Sequence, residues 1–473
     1  MNSRGFLIAL VTLLVAIGIA FLPPPEGLSQ KSMAMIGITA LALVYWSTEC
    51  FPIPLTGIMI ILLIAVFGIM PLNTALSYIS SDVNILILAG LVLAIALSKH
   101  GVDRYLSLRL LQVMGERADR IALGMMLSVS LLSMWIPNTA AAAIMAPVAV
   151  GILNLIGAKK GESNLGKAIM IGVAYAASIG GIGTPVGTPP VPITIRNIKD
   201  TTNIDIGFAT WMSWGVPLSL VLTFFAWLFL TRLFKPEVKR IEGGRKIIET
   251  ELNKVGKLEG TRLKAFILFL VAALLWIVDP IASQYVDRWT YIVSLIIIVM
   301  LISPGTGVLS WRDVSRDADW GTLFLVAGGL ALGGGLRTTG LIDLFARSLA
   351  QYFYGYQPHL VIVFISLVSS LAITVFCSIT ATSSTMVPVA IGIARALNLH
   401  PLIAGVASGV ASCFAFLLPA NTPPNAIAYS YGYFKSYEMA KAGIILILLS
   451  VLISLPFTLF LAPLITNIPL FFP

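Results

Sequence analysis

Two motifs that a membrane helix should avoid occur twice in this chain. Residues 137–151, beginning Pro137-Asn138-Thr139, align without a gap with residues 378–392, beginning Ser378-Ile379-Thr380, and seven of the 15 positions are identical. Thr184-Pro185-Val186-Gly187-Thr188-Pro189-Pro190 likewise matches Leu418-Pro419-Ala420-Asn421-Thr422-Pro423-Pro424. The chemistry that such sequence can do is anion binding. Proline suits a first helical turn, so a helix is expected to restart after each break, at Ala140, Pro190, Ala381 and Pro424. A helix start presents free N–H groups and partial positive charge, which together attract anions. Asn138, Thr139, Thr188, Thr380 and Thr422 add side-chain donors. Four such starts around one cavity would hold a dianion without a buried arginine. A lone Thr-Pro-Pro would be read as a kink that lets helices pack closely. Two motif types, each duplicated, point instead to a transporter's binding site.

The elements that must position these motifs are hydrophobic helices. Of the 473 residues, 58% are hydrophobic and 11% charged. Apolar runs of roughly 17–25 residues, enough to cross a bilayer, recur from end to end. The pattern predicts an all-α polytopic protein of the cytoplasmic membrane and lacks the alternation of a β-barrel. The run 6–22 ends in Pro23-Pro24-Pro25 rather than a small-residue cleavage site, so it reads as a retained first helix. Cys50, Cys377 and Cys413 lack disulfide or zinc spacing, and His100, His359 and His400 do not cluster. No metal and no cofactor are expected. Neither a nucleophile with its base nor a ring of acids is present, which argues against an enzyme and against a channel. The net charge of +9 comes from basic residues concentrated in residues 99–120, 159–167 and 235–264. That distribution marks cytoplasmic loops rather than a nucleic-acid partner. With the amino terminus inside, 23 of the 30 Lys and Arg fall in the cytoplasm.

The repeat extends beyond its polar centres. Trp46-Ser47-Thr48-Glu49 matches Trp276-Ile277-Val278-Asp279, and Gly90 with Gly101 matches Gly329 with Gly340. Residues 1–32 then hold a helix outside the repeat. Residues 33–234 form the first repeat, with a hairpin at 121–157 and a broken helix at 166–196. Residues 235–262, rich in Lys, Glu and Gly, form a cytoplasmic linker with a solvated, partly helical surface. Residues 263–473 form the second repeat, with a hairpin at 359–397, a broken helix at 401–434 and a last span at 438–466. The expectation is 11 transmembrane helices plus two re-entrant hairpins. Five spans per unit is odd, so the second copy enters from the opposite face, an inverted-topology transporter architecture. Unwound backbone at bilayer depth survives only where protein or a water-filled cavity covers it.

Three stretches carry a family resemblance: Trp46-Ser47-Thr48-Glu49-Cys50-Phe51-Pro52-Ile53-Pro54, Ser133-Met134-Trp135-Ile136-Pro137-Asn138-Thr139, and Pro419-Ala420-Asn421-Thr422-Pro423-Pro424-Asn425-Ala426-Ile427. They resemble the divalent anion/sodium symporter family of dicarboxylate and citrate carriers and 2-oxoglutarate/malate translocators, over nearly the whole chain. The resemblance implies a homodimer in the lipid bilayer, with a scaffold and a transport domain that moves as an elevator. It implies carboxylate contacts from Asn138, Thr139, Thr188, Pro189, Thr380, Thr422 and Pro423. In sodium-coupled members each hairpin tip reads Ser-Asn-Thr and helps to build a sodium site. Here Pro137 replaces the first Ser and Ile379 the second Asn, and neither offers the side-chain oxygen that a hard cation wants. Ser133, Gly187, Thr374, Ser378 and Asn421 remain as residual cation-site positions.

These departures point to a sodium-independent exchanger of di- and tricarboxylates such as succinate, malate, 2-oxoglutarate and citrate. The alternatives are a sodium-coupled dicarboxylate symporter and an inorganic dianion (sulfate) transporter. Without sodium a dianion needs another counter-charge. Lys99 and Arg337, which end the segments before each hairpin, are the candidates for charge compensation, against a role as interfacial anchors.

Overall fold

Short polar residues set the starts of the long helices. Ser29 accepts from Ser32 N at 3.1 Å to open Gln30–Thr48. Ser163 accepts from Gly166 N at 3.0 Å to open Asn164–Gly180. Ser81 and Asp319 do the same for Asp82–Lys99 and Trp320–Thr338. Each satisfies an N–H that a helix start leaves unpaired. The computed structural model describes residues 3–461, and among these every regular element is helical, with one isolated antiparallel bridge between Arg117 and Arg240.

Seven helices among the described residues are long and apolar enough to cross a membrane, or eight if Trp311–Asp317 and Trp320–Thr338, bent by 61°, count as one span. The expected 11 spans therefore do not follow from helix length. Ile53–Val66, Trp289–Ile302 and Pro401–Ala411 are apolar but short. The last span appears as Ser436–Pro456 followed by a π-helical turn, Phe457–Leu461, and the remainder of 438–466 lies outside the described residues.

The two halves carry the same order of elements. Asp82–Lys99, Val102–Met114, the packed pair Ala118–Ser133 and Asn138–Leu155, the broken pair Asn164–Gly180 and Pro190–Thr202, and Phe208–Leu233 come first. Trp320–Thr338, Leu341–Ala350, Pro358–Phe376 with Ile379–Ala396, Pro401–Ala411 with Pro423–Ser430, and Ser436–Pro456 follow in the same sequence. Gly101 (φ 66°) and Gly340 (φ 72°) make the matching left-handed turns into the short helices, a conformation that costs glycine no Cβ strain.

Asn164–Gly180 is the centre of the molecule, buried at every position from Ala168 to Gly180. It packs against Ala118–Ser133, Asn138–Leu155, Phe208–Leu233 and Pro423–Ser430. At the periphery Ser3–Phe21, Gln30–Thr48 and Ile53–Val66 form a separate apolar cluster with Trp320–Thr338. Gly57 and Gly328 allow that contact, because a Cβ on Gly328 would overlap the Gly57 backbone.

The linker is partly helical with its charges exposed, and it also docks on the protein. Ala118 N donates to Lys239 O at 3.1 Å and Ile241 N to Glu116 O at 2.9 Å. Its helix Gly244–Val255 buries Ile248 and Leu252 and packs on Val102–Met114. Charges surround that one apolar face, four residues apart, and the face is what docks.

Candidate functional site: a cavity built from four helix breaks

All four breaks line one cavity of about 590 Å³. The first hairpin contributes Pro137, Asn138 and Thr139, and the second Cys377, Ser378, Ile379 and Thr380. The broken helices contribute Pro185–Pro189 and Pro419–Pro424. The seven candidate contacts, Asn138, Thr139, Thr188, Pro189, Thr380, Thr422 and Pro423, thus share one hollow. Its volume lies inside the range of about 300–1,000 Å³ common for small-molecule sites.

Three of the helix starts fall one or two residues earlier than expected: Asn138 rather than Ala140, Ile379 rather than Ala381, and Pro423 rather than Pro424. Only Pro190 starts where expected. Pro137 and Ser378 hold extended backbone at the hairpin tips, and Ser378 Oγ accepts from Ala381 N at 3.3 Å. The starts also differ in what they donate. At the hairpins, the N–H groups of Asn138, Thr139, Ala140, Ile379 and Thr380 find no acceptor among the described residues. At the broken helices, prolines at 189, 190, 192, 423 and 424 have no N–H to give. Hydroxyls replace them: Thr188 Oγ1 and Thr422 Oγ1 are buried and have no hydrogen-bond partner among the described residues. A buried hydroxyl left unpaired costs about 1–3 kcal/mol, so the two equivalent threonines are poised for an acceptor from outside the chain.

No Lys, Arg or His is among the residues lining the cavity. The two hairpin starts, each worth roughly half a positive charge, give about +1, and the Thr188 and Thr422 hydroxyls add neutral donors at the proline-started helices. Two acids line the cavity as well, Glu49 and Asp319. Asp319 caps its own helix by accepting from Thr322 N at 3.1 Å. Glu49 is exposed, in a left-handed conformation at φ 49°. Its repeat partner Asp279 is buried instead, accepting from Thr290 Oγ1 at 2.7 Å and Ser283 Oγ at 3.0 Å. The Trp-x-x-acid repeat was the signal for both residues, but it did not say which one faces the cavity. Thr322 also lines it without any signal of its own, and so does Gly90, which the repeat had matched with Gly329.

The residual cation-site positions are not equivalent. Ser133 Oγ lies 2.6 Å from both Asn138 Oδ1 and Ala177 O. The carbonyls of Ser133 and Gly181 face Gly187, where an added Cβ would stand 2.8 and 2.6 Å from them. Pro137, four residues after Ser133, has no N–H to occupy the Ser133 carbonyl. In the other half, Thr374 Oγ1 is buried without a partner among the described residues. Ser378 is spent as a cap, and Asn421 Oδ1 accepts from Leu418 N at 2.8 Å.

Lys99 and Arg337 are not in the cavity. Lys99 Nζ pairs with Asp313 Oδ2 at 2.7 Å, and Arg337 Nη2 with Asp200 Oδ2 at 3.0 Å. Each sits at the last turn of its helix, where nearby carboxylates neutralise it. The proposal that they balance substrate charge gains nothing from this geometry.

The family model of the sodium:sulfate symporter transmembrane region matches residues 4–466. A sodium-dependent dicarboxylate transporter, SdcS, of Staphylococcus saprophyticus is 32% identical over 93% of this chain and 88% of its own length. SdcS of Staphylococcus aureus strain USA300 is 29% identical over 98% of this chain and 93% of its own. Among solved structures, Neisseria gonorrhoeae MtrF superposes with a TM-score of 0.56 at 12% identity, over 97% of this chain and 94% of its own. The Alcanivorax borkumensis YdaH transporter superposes at 0.55 with 13% identity, over 96% and 97%. These two likenesses speak for the helical fold alone. Both SdcS relatives are named for sodium dependence, so the sodium-independent exchanger read from the hairpin tips finds no support in them. The residues at the tips tell only of side-chain oxygens, whereas backbone carbonyls are equally good oxygen ligands. Motifs, fold and family match agree: the chain belongs to the sodium:sulfate symporter family, the divalent anion/sodium symporters that its motifs resemble, and is a multi-pass membrane transporter.

Proposed function

We propose that this chain carries dicarboxylates across the cytoplasmic membrane, coupled to sodium. The observation that carries the reading is the convergence of four helix breaks on one cavity, with Thr188 and Thr422 hydroxyls unpartnered on its wall. The free N–H groups of the two hairpin starts and these hydroxyls suit carboxylate oxygens. The SdcS relatives supply the substrate class and the cation. The carbonyls of Ser133 and Gly181 beside Gly187 offer sodium oxygen ligands that need no side-chain oxygen at 137. Sodium here is a co-substrate, and its positive charge offsets the substrate's in place of Lys99 and Arg337, which pair with Asp313 and Asp200.

The proposed topology is 11 spans with two re-entrant hairpins, in two inverted repeats. The two hairpins and broken helices travel as one body against Asp82–Lys99, Trp320–Thr338 and the peripheral helices, as an elevator in a homodimer. Glu49 and Asp319 line the cavity and belong to the side with the basic loops, so the cavity opens inward. A separate recess of about 340 Å³, lined by Asp205, Asp279 and Arg288, lies on the other side of Pro185. The test is uptake of labelled succinate into proteoliposomes with sodium or choline outside. Uptake should require sodium. Equal uptake in choline would return the exchanger, and no uptake of any C4 to C6 carboxylate, with sulfate carried instead, would overturn the substrate class.

A further inference from the structure

Resting on the elevator reading above, we propose that Asp82, Arg196, Asp200 and Arg337 form a latch on the outer side that holds the moving body in its inward-open position. Arg196, Asn197 and Asp200 lie on Pro190–Thr202, the helix that begins at the Thr188-Pro189 wall of the cavity. Asp82 and Arg337 lie at the outer ends of Asp82–Lys99 and Trp320–Thr338, which the elevator leaves in place. Arg196 Nη1 donates to Asp82 Oδ1 at 2.7 Å. Its Nε stands 2.8 Å from Asp200 Oδ1, an ion pair whose N–H is off the hydrogen-bond line. Arg337 Nη2 donates to Asp200 Oδ2 at 3.0 Å and its Nη1 to Asn197 Oδ1 at 2.8 Å. One helix of the moving body is therefore tied to two fixed helices by alternating charges, Asp82, Arg196, Asp200, Arg337. Their side chains are 9–28% exposed, so water and salt screen them less than surface pairs.

The latch has no counterpart on the inner side. In the register that pairs Gly90 with Gly329, Asp82 falls opposite Gly321 and Arg337 opposite Ser98. In the register that pairs Pro190 with Pro424, Arg196 falls opposite Ser430 and Asp200 opposite Phe434. None of those four residues can form an ion pair. The other partly buried pair, Lys167 with Glu438 at 2.7 Å, lies between Asn164–Gly180 and Ser436–Pro456, and Lys99 pairs with Asp313 of the neighbouring short helix. Among the described residues no further ion pair joins the four-break body to Asp82–Lys99 or Trp320–Thr338. The inverted repeats are thus alike in backbone but unlike in charge. Moving the body outward breaks a four-charge network and forms none in return, which biases the resting carrier toward the inside.

Cys377 reports the position of the body. It lines the cavity, while Cys50 and Cys413 are buried. In right-side-out vesicles carrying the full chain, a membrane-impermeant maleimide should label Cys377 slowly from outside; in inside-out vesicles it should label quickly. Asp200→Asn and Arg337→Gln should each raise outside labelling about two- to fivefold, the scale of one or two partly screened pairs. Arg337→Lys, which keeps the charge, and Lys99→Gln, which breaks only the Asp313 pair, should leave it unchanged. If Asp200→Asn does not reach the membrane, Arg337→Gln at the rim of the network decides alone. Outside labelling that stays unchanged in Arg337→Gln, while inside labelling is normal, overturns the latch and leaves the elevator standing. Failure of Cys377 to label from inside in the unmodified protein overturns the inward-open reading and the latch with it.

Discussion

Replacing Thr188 and Thr422 by valine tests the site most directly, because it removes two oxygen atoms and almost nothing else. Valine keeps the shape of threonine, and neither hydroxyl has a partner among the described residues that would be orphaned by the change. Folding should therefore be unaffected or slightly favoured, since each unpaired buried hydroxyl carries a cost of about 1–3 kcal/mol. Binding should suffer. A hydrogen bond to a charged carboxylate is worth about 1.5–3 kcal/mol, and each 1.4 kcal/mol is about tenfold in affinity. Each single variant should raise the KM for succinate uptake roughly tenfold to a hundredfold. Because both hydroxyls serve one substrate, the double variant should lose less than the product of the two. The assay pairs sodium-driven uptake in proteoliposomes with thermal unfolding of the detergent-purified protein. A variant that loses several degrees of Tm while its KM stays within twofold would show that the hydroxyls serve the fold, and the site as built here would be wrong.

Gly187→Ala should cost stability, since its Cβ would press on the Ser133 and Gly181 carbonyls, and sodium affinity as well; the sodium concentration for half-maximal uptake should rise about tenfold or more, and an unchanged value would remove those carbonyls as cation ligands. Gly328→Ala should destabilise by about 1–3 kcal/mol, because its Cβ would overlap the Gly57 backbone where two helices touch, read as a lowered Tm with sodium affinity unaltered. The Glu251 carboxyl is held below its ordinary range, first by the hydrogen bond from Lys254 and further by Arg104. Its folded value is the lower one, so its contribution to linker docking is present above about pH 4.3 and is lost as pH falls through the depressed value. Protection of the Gly244–Val255 amides should exceed that of Glu251→Gln by a constant factor from neutral pH to about pH 5, compared at each pH so that the intrinsic rate cancels, and converge on it below, an effect under about 1 kcal/mol for so exposed a pair.

Much of the site was legible before any coordinates because its signals are local. Pro137, Pro189, Pro190, Pro423 and Pro424 cannot continue a helix wherever they sit, and the bilayer forbids the resulting open backbone unless something covers it. Those two facts, with the repeat, pick out Asn138, Thr139, Thr188, Thr380 and Thr422 from sequence alone, and the family resemblance adds Pro189 and Pro423. What local chemistry could not supply is partner choice. Lys99 and Arg337 read as identical candidates, both cations at helix ends before a hairpin, yet each is taken by a carboxylate, Asp313 or Asp200, that lies far away in the chain. Glu49 and Asp279 occupy matching positions in the repeat, and only packing puts one on the cavity and buries the other against Thr290. The linker's charge pattern suggested solvent, while its single apolar face found Val102–Met114 to cover it.

By itself, then, the order of residues determined where the chain must break, that the breaks come in pairs, and that they need a polar neighbour at bilayer depth. Each of these follows from the covalent chemistry of proline and the absence of water in hydrocarbon. Only the tertiary structure decided that four breaks share one hollow, which oxygens remain unclaimed around it, and where the ion pairs fall. Those are sums over residues hundreds of positions apart, and a carbonyl or a carboxylate acquires its role only when packing settles what stands within three ångströms of it.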